Sequence, residues 1–576
     1  MSAASVSMAE NSGQQHSTGE WALAALVCFC VSMAVVTPFF FLGPASGHDV
    51  AFHMASWLDA AEQWKQGVLF PRWTQWSNFG FGEPRFIFYP PLSWLFGAFL
   101  GTLIPWEAVP VVFIVVVQLF AGLCAYALSR QLVDSRLAAL LSAACYVANP
   151  YSLLIVYARS DFAELLANAM FPLLLLAALR LTRFINSSKH SSARNVLSFA
   201  MVFCAIWLAN APAAVIATYI VGFLFVLAVA LQRSIAPLTT GGAGMALGFG
   251  LSSFYLIPAI YEQRWVNISG ILSGGLRPAE NFLYARTTDA EHDAFNRMAS
   301  NIAVLLIFWV VCAALGAWRM RRTDSPDSRP GFFLPASLLA IIAALLMLPV
   351  SNIVWRVLPE MRFLQFPWRW MSMLAVCALM FTAASARGWL RWGWLLMATL
   401  AILGCGHYVA KHSWWDSDDM PSLQAAMNEG RGFEGTDEYD PVGDDRTDLP
   451  QKAPRATFLA NPPNRDGHRN AKVVIERWAP EHRLVRVTAH EPGRLALRLL
   501  NYPAWRILLN GNPVQAQHPD GTRQMIIAVP SGESGVRIDF TRTFDRRLGG
   551  AISIFSLVVW FVAWFWARRT QLKERG

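Results

Sequence analysis

The first residues able to do chemistry form a short run, Gly47-His48-Asp49-Val50-Ala51-Phe52-His53, directly behind an apolar block. A carboxylate held there, that of Asp49, can take the proton from an attacking hydroxyl, and a positioned base contributes roughly 10²- to 10⁴-fold. His48, Asp49 and His53 can equally supply metal ligands, because residues four apart share a helix face. Asp49 also suits the N-cap of an amphipathic helix from Val50 to Gln66, a role compatible with catalysis. Farther on, Pro71-Arg72-Trp73 and the run from Phe79-Gly80-Phe81-Gly82-Glu83-Pro84-Arg85 to Phe88-Tyr89-Pro90-Pro91-Leu92 combine turn-forming Gly and Pro with aromatics suited to a membrane surface. Arg72 and Arg85 read there first as side chains snorkelling to headgroups. Charges crowd again in Tyr157-Ala158-Arg159-Ser160-Asp161-Phe162-Ala163-Glu164, where Arg159 can pair with Asp161 or Glu164. Ionisable groups at membrane depth are costly and are usually paired or functional. Last, Arg362 and Arg369 bracket Phe363-Leu364-Gln365-Phe366-Pro367-Trp368; guanidinium forks suit a phosphate, with interfacial anchoring as the competing role. There is no P-loop, HExxH, paired CxxC or Gly-x-Ser-x-Gly elbow.

The elements that must position these groups follow from composition. The 576 residues are 55% hydrophobic and 15% charged, against roughly 25% charged in a soluble protein, so the chain is an α-helical polytopic membrane protein. A net charge of +9 would suit nucleic acid, but the Lys and Arg sit in short clusters beside apolar blocks, as the positive-inside rule expects, so no nucleic-acid partner is expected. Clusters at Arg130 and Arg136, at Arg180, Arg183, Lys189 and Arg194, at Arg233, at Arg319, Arg321 and Arg322, at Arg387 and Arg391, and at Arg568, Arg569, Lys573 and Arg575 mark the cytoplasmic side. Pairs of clusters must be separated by an even number of crossings. That parity gives about twelve spans, near 21–42, 109–128, 137–150, 162–181, 196–210, 212–231, 238–260, 300–318, 332–349, 367–386, 391–409 and 548–567. Pro91 to Ile104 is too short to cross and lies in the interface or re-enters. A turn is expected over Tyr151 to Asp161, and the eight Cys, all in apolar segments, imply no disulfide framework.

Residues 1–20 then form a cytoplasmic tail, 21–409 the bundle with a first external loop at 43–108, 548–567 the last crossing and 568–576 a basic cytoplasmic tail. Between them lies an external insert. Asp416 to Asp448 holds eleven Asp or Glu against two Arg, with several Gly and Pro, and residues 410–471 read as an exposed, flexible acidic linker. Residues 472–545 alternate in short runs between turn signals such as Asn510-Gly511-Asn512 and Asp520-Gly521, which predicts a small antiparallel β-sandwich. Tyr502 and Trp505 are either core or a sugar-stacking platform, the former being the more frequent fate of such residues.

Taken together, the acidic residue after the first span, Tyr89-Pro90-Pro91-Leu92 before an interfacial helix and the even-spanning bundle resemble the GT-C superfamily of membrane glycosyltransferases. Phe88 to Leu92, Arg159 to Glu164, Gln365 to Arg369 and Asn501-Tyr502-Pro503-Ala504-Trp505 resemble the YfhO-like branch and the 6-pyruvoyl-tetrahydropterin-synthase-related bacterial membrane proteins. The resemblance implies transfer of a sugar from a polyprenyl-phosphate-linked donor to an envelope glycan or lipid, outside the inner membrane of a bacterium. Asp49 matches the first-loop acidic residue of that family, a base or a ligand for a divalent cation such as Mg or Mn. Many relatives carry a second acidic residue beside it, where this chain has His48. The pterin-synthase label implies a zinc site of clustered His, which is absent from the sequence. On this reading Asp49, Asp161 and Glu164 are catalytic, while His48, His53, Arg85, Tyr89, Arg159, Arg362, Gln365 and Arg369 bind substrate. The alternatives are a non-enzymatic protein that binds or translocates lipid-linked glycans, and a scaffold for an envelope complex.

Overall fold

The computed structural model describes residues 3–185, 192–323, 331–443, 448–460, 471–519 and 521–575. Lys189 and Asp520, and the side chains of Lys573 and Arg575, lie outside the described residues. Hydrocarbon offers the main chain no hydrogen-bond partner, so the apolar blocks become helices. In chain order the helices are α1 (Thr18–Leu42), α2 (Val50–Lys65), α3 (Pro91–Leu103), α4 (Trp106–Leu132), α5 (Arg136–Arg159), α6 (Phe162–Leu181), α7 (Ser192–Ala209), α8 (Ala211–Gln232), α9 (Ala236–Glu262), α10 (Ala290–Thr323), α11 (Phe333–Leu346), α12 (Asn352–Val357), α13 (Met371–Ser385), α14 (Leu390–His412), α15 (Asp419–Asn428) and α16 (Phe544–Arg575).

Among the described residues nine helices are long and apolar enough to cross a membrane, and α11 with its continuation Pro349–Val357, bent by 92°, makes a tenth. The two other expected crossings coincide with α7 and α13, of 18 and 15 residues. Every residue of α13 is buried in protein, so its short ends meet no lipid. The turn expected over Tyr151 to Asp161 is instead helical as far as Arg159. Asn149 interrupts the helix, but its side chain accepts from the N–H groups of Tyr151 and Ser152, both at 3.1 Å, and Pro150 at the first position has no N–H to leave unpaired, so the helix restarts at once. A π-helical turn, Ile155–Arg159, leads to Ser160 at φ 51°.

The C-terminal half of α9 is completed by other segments. Pro258 has no N–H for the Phe254 carbonyl, which accepts instead from Arg72 Nη2 at 3.3 Å. Arg72 is thus a helix partner rather than a headgroup anchor. On the preceding turn a side chain of α16 bridges two main-chain groups: Phe254 N–H donates to Ser553 Oγ at 2.8 Å, and that hydroxyl donates to the Gly250 carbonyl at 3.1 Å.

Eight antiparallel strands follow: β1 (Ala456–Ala460), β2 (Ala471–Trp478), β3 (His482–Ala489), β4 (Gly493–Leu500), β5 (Trp505–Leu509), β6 (Asn512–Val514), β7 (Gln524–Val529) and β8 (Gly532–Phe540). They form sheets ordered β1-β4-β7 and β2-β3-β8-β5-β6. Period-two burial of Val485 and Val487, Leu495 and Leu497, and Val536 and Ile538 fills the space between them. β1 falls in the stretch expected to be linker and supplies an edge of the three-stranded sheet. Tyr502 and Trp505 are buried core residues, not a stacking platform.

The acidic stretch is the clearest departure from expectation. Residues 444–447 lie outside the described residues; the rest is helix α15 and a strap laid against the first loop. Phe433 N–H donates to the Trp76 carbonyl and its own carbonyl accepts from Phe79 N–H, both at 2.9 Å. Thr436 N–H donates to Glu83 Oε2 at 2.9 Å, and Asn78 Nδ2 donates to Asp440 Oδ1 at 2.7 Å. A Cβ on Gly432 would stand 2.4 Å from the Trp76 carbonyl oxygen, and one on Gly435 1.9 Å from Asn78 Oδ1. The glycines that read as looseness are what allow the two chains to touch. Arg498 of β4 seals the junction, donating to the carbonyls of Phe79, Gly430 and Arg431 at 2.6, 2.8 and 2.6 Å.

Candidate functional site

Asp49 occupies the N-cap position of α2, but its side chain makes no capping bond. Its carboxylate turns to Arg159, accepting from Nε at 3.1 Å and from Nη2. The two segments are knotted through their backbones. Asp49 N–H donates to the Arg159 carbonyl at 2.9 Å, Gly47 N–H donates to Ser160 Oγ at 3.1 Å, and that hydroxyl donates to the Ala45 carbonyl at 3.0 Å. A Cβ on Gly47 would stand 2.5 Å from the Arg159 carbonyl carbon, so the residue before His48 must be small.

Asp161 is the hub of the buried part. Its Oδ2 lies 3.4 Å from Arg159 Nη2 and 3.7 Å from Arg369 Nη2. Its Oδ1 caps α6 by accepting from Glu164 N–H at 2.9 Å and lies 3.5 Å from His53 Nε2, at the limit of a hydrogen bond. Glu164 accepts from Arg369 Nε at 3.1 Å and from the Tyr151 hydroxyl. His53 Nδ1 has no partner among the described residues. Burial alone would raise the Asp161 carboxyl, but the contact with His53 and the Arg159 and Arg369 charges outweigh it and hold it below the usual carboxylate range. Both guanidiniums also lie over aromatic faces: Arg159 over Phe366 and Trp368, at 5.0 and 5.3 Å, and Arg369 over Phe366 at 5.0 Å. Three carboxylates face two guanidiniums, and all but Asp49 are buried; the Asp49 side chain keeps 34% of its surface open.

Of the residues singled out from sequence, the fold therefore joins Asp49, His53, Arg159, Asp161, Glu164 and Arg369. Tyr89 flanks them, its ring 5.8 Å from that of His53, and its hydroxyl pKa is raised by burial and by the Asp161 and Asp49 charges. Gln365, at φ 60°, lies behind Arg369, its Oε1 3.5 Å from Arg369 Nη1 and its Nε2 donating to the Ile271 carbonyl at 2.9 Å. His48 stands on the open rim against Phe295.

Two residues are not in the cluster. Arg85 is buried elsewhere, donating to Glu83 Oε1 at 2.6 Å, Ser56 Oγ at 3.1 Å and Thr436 Oγ1 at 3.1 Å, and so it fastens the strap rather than lining the site. Arg362 is exposed over Phe363, with no carboxylate partner among the described residues. Tyr151 and the Phe366–Trp368 faces are parts of the site that residue types alone do not reveal. No spacing rule carries residue 151 to residue 164 across a helix break. A further buried carboxylate, Asp59, is committed to structure: it accepts from Gln63 Nε2 at 2.7 Å and from the N–H groups of Gln75 and Trp76 at 2.8 and 2.9 Å, while burial pushes it up to about 6. Among the described residues no three His, Cys, Asp or Glu converge to hold a metal ion.

A polytopic helical membrane protein that carries a β-sandwich on the same side as a buried acid–guanidinium network is the class that fold and site define. The chain belongs to the family of membrane proteins described by the 6-pyruvoyl-tetrahydropterin synthase related domain, whose model matches residues 86–414. No curated protein matches it. Among solved structures, the apo oligosaccharyltransferase of Archaeoglobus fulgidus is similar at a TM-score of 0.39 and 13% identity, over 70% of this chain and 56% of that one. The same enzyme tethered to an acceptor peptide with the NVT sequon gives 0.38 and 13%, over 69% and 55%. The archaeal oligosaccharyltransferase AglB of that organism, in complex with an inhibitory peptide and a dolichol-phosphate, gives 0.33 and 13%, over 68% and 55%. The chain thus spans little more than half the length of these proteins.

Proposed function

We propose that the protein transfers a sugar from a polyprenyl-phosphate-linked donor to an acceptor hydroxyl of an envelope glycan or lipid. The reading places it in the cytoplasmic membrane of a bacterium, with the β-sandwich extracytoplasmic and both termini in the cytoplasm. The observation that carries it is the behaviour of Asp49, whose carboxylate forgoes the N-cap bond, pairs with Arg159 and keeps part of its surface open. In this role the open oxygen of Asp49 accepts the proton of the acceptor hydroxyl as the hydroxyl oxygen attacks the anomeric carbon and the bond from that carbon to the donor phosphate breaks. The donor phosphate leaves toward Arg159 and Arg369, with exposed Arg362 as its first contact at the membrane surface. Asp161 and Glu164 hold the two guanidiniums in place, and Tyr151 fixes Glu164. His53 and Tyr89 wall the reacting groups, and Gln365 supports Arg369.

The test is Asp49→Asn. It reproduces the change in envelope glycan caused by deletion of the gene while the protein level stays unchanged. A fully active Asp49→Asn protein overturns the catalytic role and favours the alternative, binding or translocation of lipid-linked glycans without turnover.

A further inference from the structure

An unassigned aromatic surface adjoins the open edge of Asp49. Trp414 and Trp415 follow α14, and the chain there pairs with the segment before Gly47: Ser46 N–H donates to the Trp414 carbonyl at 2.9 Å, Asp416 N–H donates to the Pro44 carbonyl at 3.0 Å, and Ala45 and Trp415 form an isolated antiparallel bridge. The two neighbouring Trp have different fates. Trp415 packs against Phe39 and Tyr157 at 5.5 and 5.7 Å and donates from Nε1 to the Ala410 carbonyl at 3.0 Å. Trp414 is left 55% exposed, although its backbone is fixed beside the Asp49 loop by the bonds above.

From Trp414 the rings continue inward. His48 meets Trp414 edge-on at 5.9 Å and Phe295 edge-on at 4.8 Å; Phe295 meets Trp368 at 5.9 Å; and Trp368 stacks on Phe366 at 4.8 Å, beneath Arg159. An exposed Trp is often only a membrane-interface anchor, and Trp389, 78% exposed before the other end of α14, fits that role. Trp414 differs in being held over the Asp49 loop and in continuing a line of rings that ends on the guanidinium pair. A flat apolar face beside an open carboxylate and an imidazole complements a ligand with one C–H face and a rim of hydroxyls. An isoprenoid chain would leave the carboxylate unused.

We propose that Trp414, with His48 and Phe295, forms a stacking subsite for a pyranose ring, its hydroxyls directed to Asp49. The proposal rests on the sugar-transfer reading above. The experiment uses the full chain in nanodiscs and saturation-transfer NMR with methyl β-D-glucopyranoside, methyl β-D-galactopyranoside and methyl α-D-mannopyranoside. Transfer to the ring C–H protons of at least one glycoside is expected. Trp414→Ala weakens that binding roughly tenfold, while Trp414→Phe retains most of it and Trp389→Ala leaves it unchanged. Absence of transfer from all three glycosides, or an unchanged signal in Trp414→Ala, overturns the subsite. Asp49→Asn separates the two readings: it retains most of the stacking signal while abolishing function. A fully active Asp49→Asn protein together with Trp414-dependent binding keeps the subsite and removes the transferase reading; an inactive Asp49→Asn with Trp414-independent binding does the reverse.

Discussion

Glu262 offers a quantitative test of how the β-sandwich is fixed to the bundle. It ends α9 with no exposed surface and accepts four hydrogen bonds: from Arg546 Nε and Nη2 at 2.7 and 2.8 Å, from the Tyr502 hydroxyl at 2.6 Å and from Thr543 Oγ1 at 3.3 Å. One carboxylate thus joins α9, α16 and the sandwich core. Glu262→Met removes the carboxylate and strands the buried Arg546 cation, at a cost of about 3–5 kcal/mol. Arg546→Met strands the carboxylate, with Tyr502 and Thr543 still donating to it, and costs about the same. Glu262→Met with Arg546→Met strands no charge and leaves only the Tyr502 and Thr543 hydroxyls without this acceptor, so its cost should fall to about 1–3 kcal/mol. The cycle therefore predicts a coupling of several kcal/mol, read by detergent-titrated unfolding of the four proteins. Because Tyr502 belongs to the sandwich, each single variant should also speed proteolysis within 448–460. A double variant as unstable as the sum of the singles would refute the claim that the pair acts as a unit.

Two further outcomes follow from the same reasoning. Burial pushes the Glu438 carboxyl in the strap from 4.5 up to about 7; its proton is held more tightly in the folded state, so its contribution to stability is complete below about pH 4.5 and is lost as pH rises through 7. Glu438→Gln should match wild type at pH 4 and exceed it at pH 8 by on the order of 1–3 kcal/mol, seen as slower strap proteolysis, and parallel pH curves for the two proteins would contradict this. Gly47→Ala should push the Asp49 loop off the Arg159 backbone, costing about 1–3 kcal/mol and reproducing the Asp49→Asn phenotype with the carboxylate intact. Gly222→Ala, with open space around its Cβ, serves as the control, and a wild-type glycan profile in Gly47→Ala would count against the backbone knot.

The sequence was most legible where lipid removes choice. Apolar blocks had to become helices, and each expected crossing coincides with one, including α13, whose short length is tolerated because protein surrounds it. The polar parts were less legible because their partners are remote. Asp49 and Arg159 are separated by 110 positions, and Glu164 and Arg369 by 205. Residue type correctly marked these side chains as costly to bury, but only the fold says which charge each one meets. Arg85 shows the limit from the other side, since it read as a headgroup anchor or a substrate ligand and instead joins Glu83 and Ser56 to Thr436 of the strap. The acidic stretch misled because composition counts charges and glycines without knowing that Gly432 and Gly435 lie flush against the first loop.

The Ser553 hydroxyl that bridges Phe254 and Gly250 sets an order of assembly. That side chain accepts from one main-chain group of α9 and donates to another on the same turn. The residue that joins them lies 299 positions farther along the chain. The last crossing is therefore fastened to the backbone of a helix made much earlier, and this link forms only once α16 has entered the membrane beside α9.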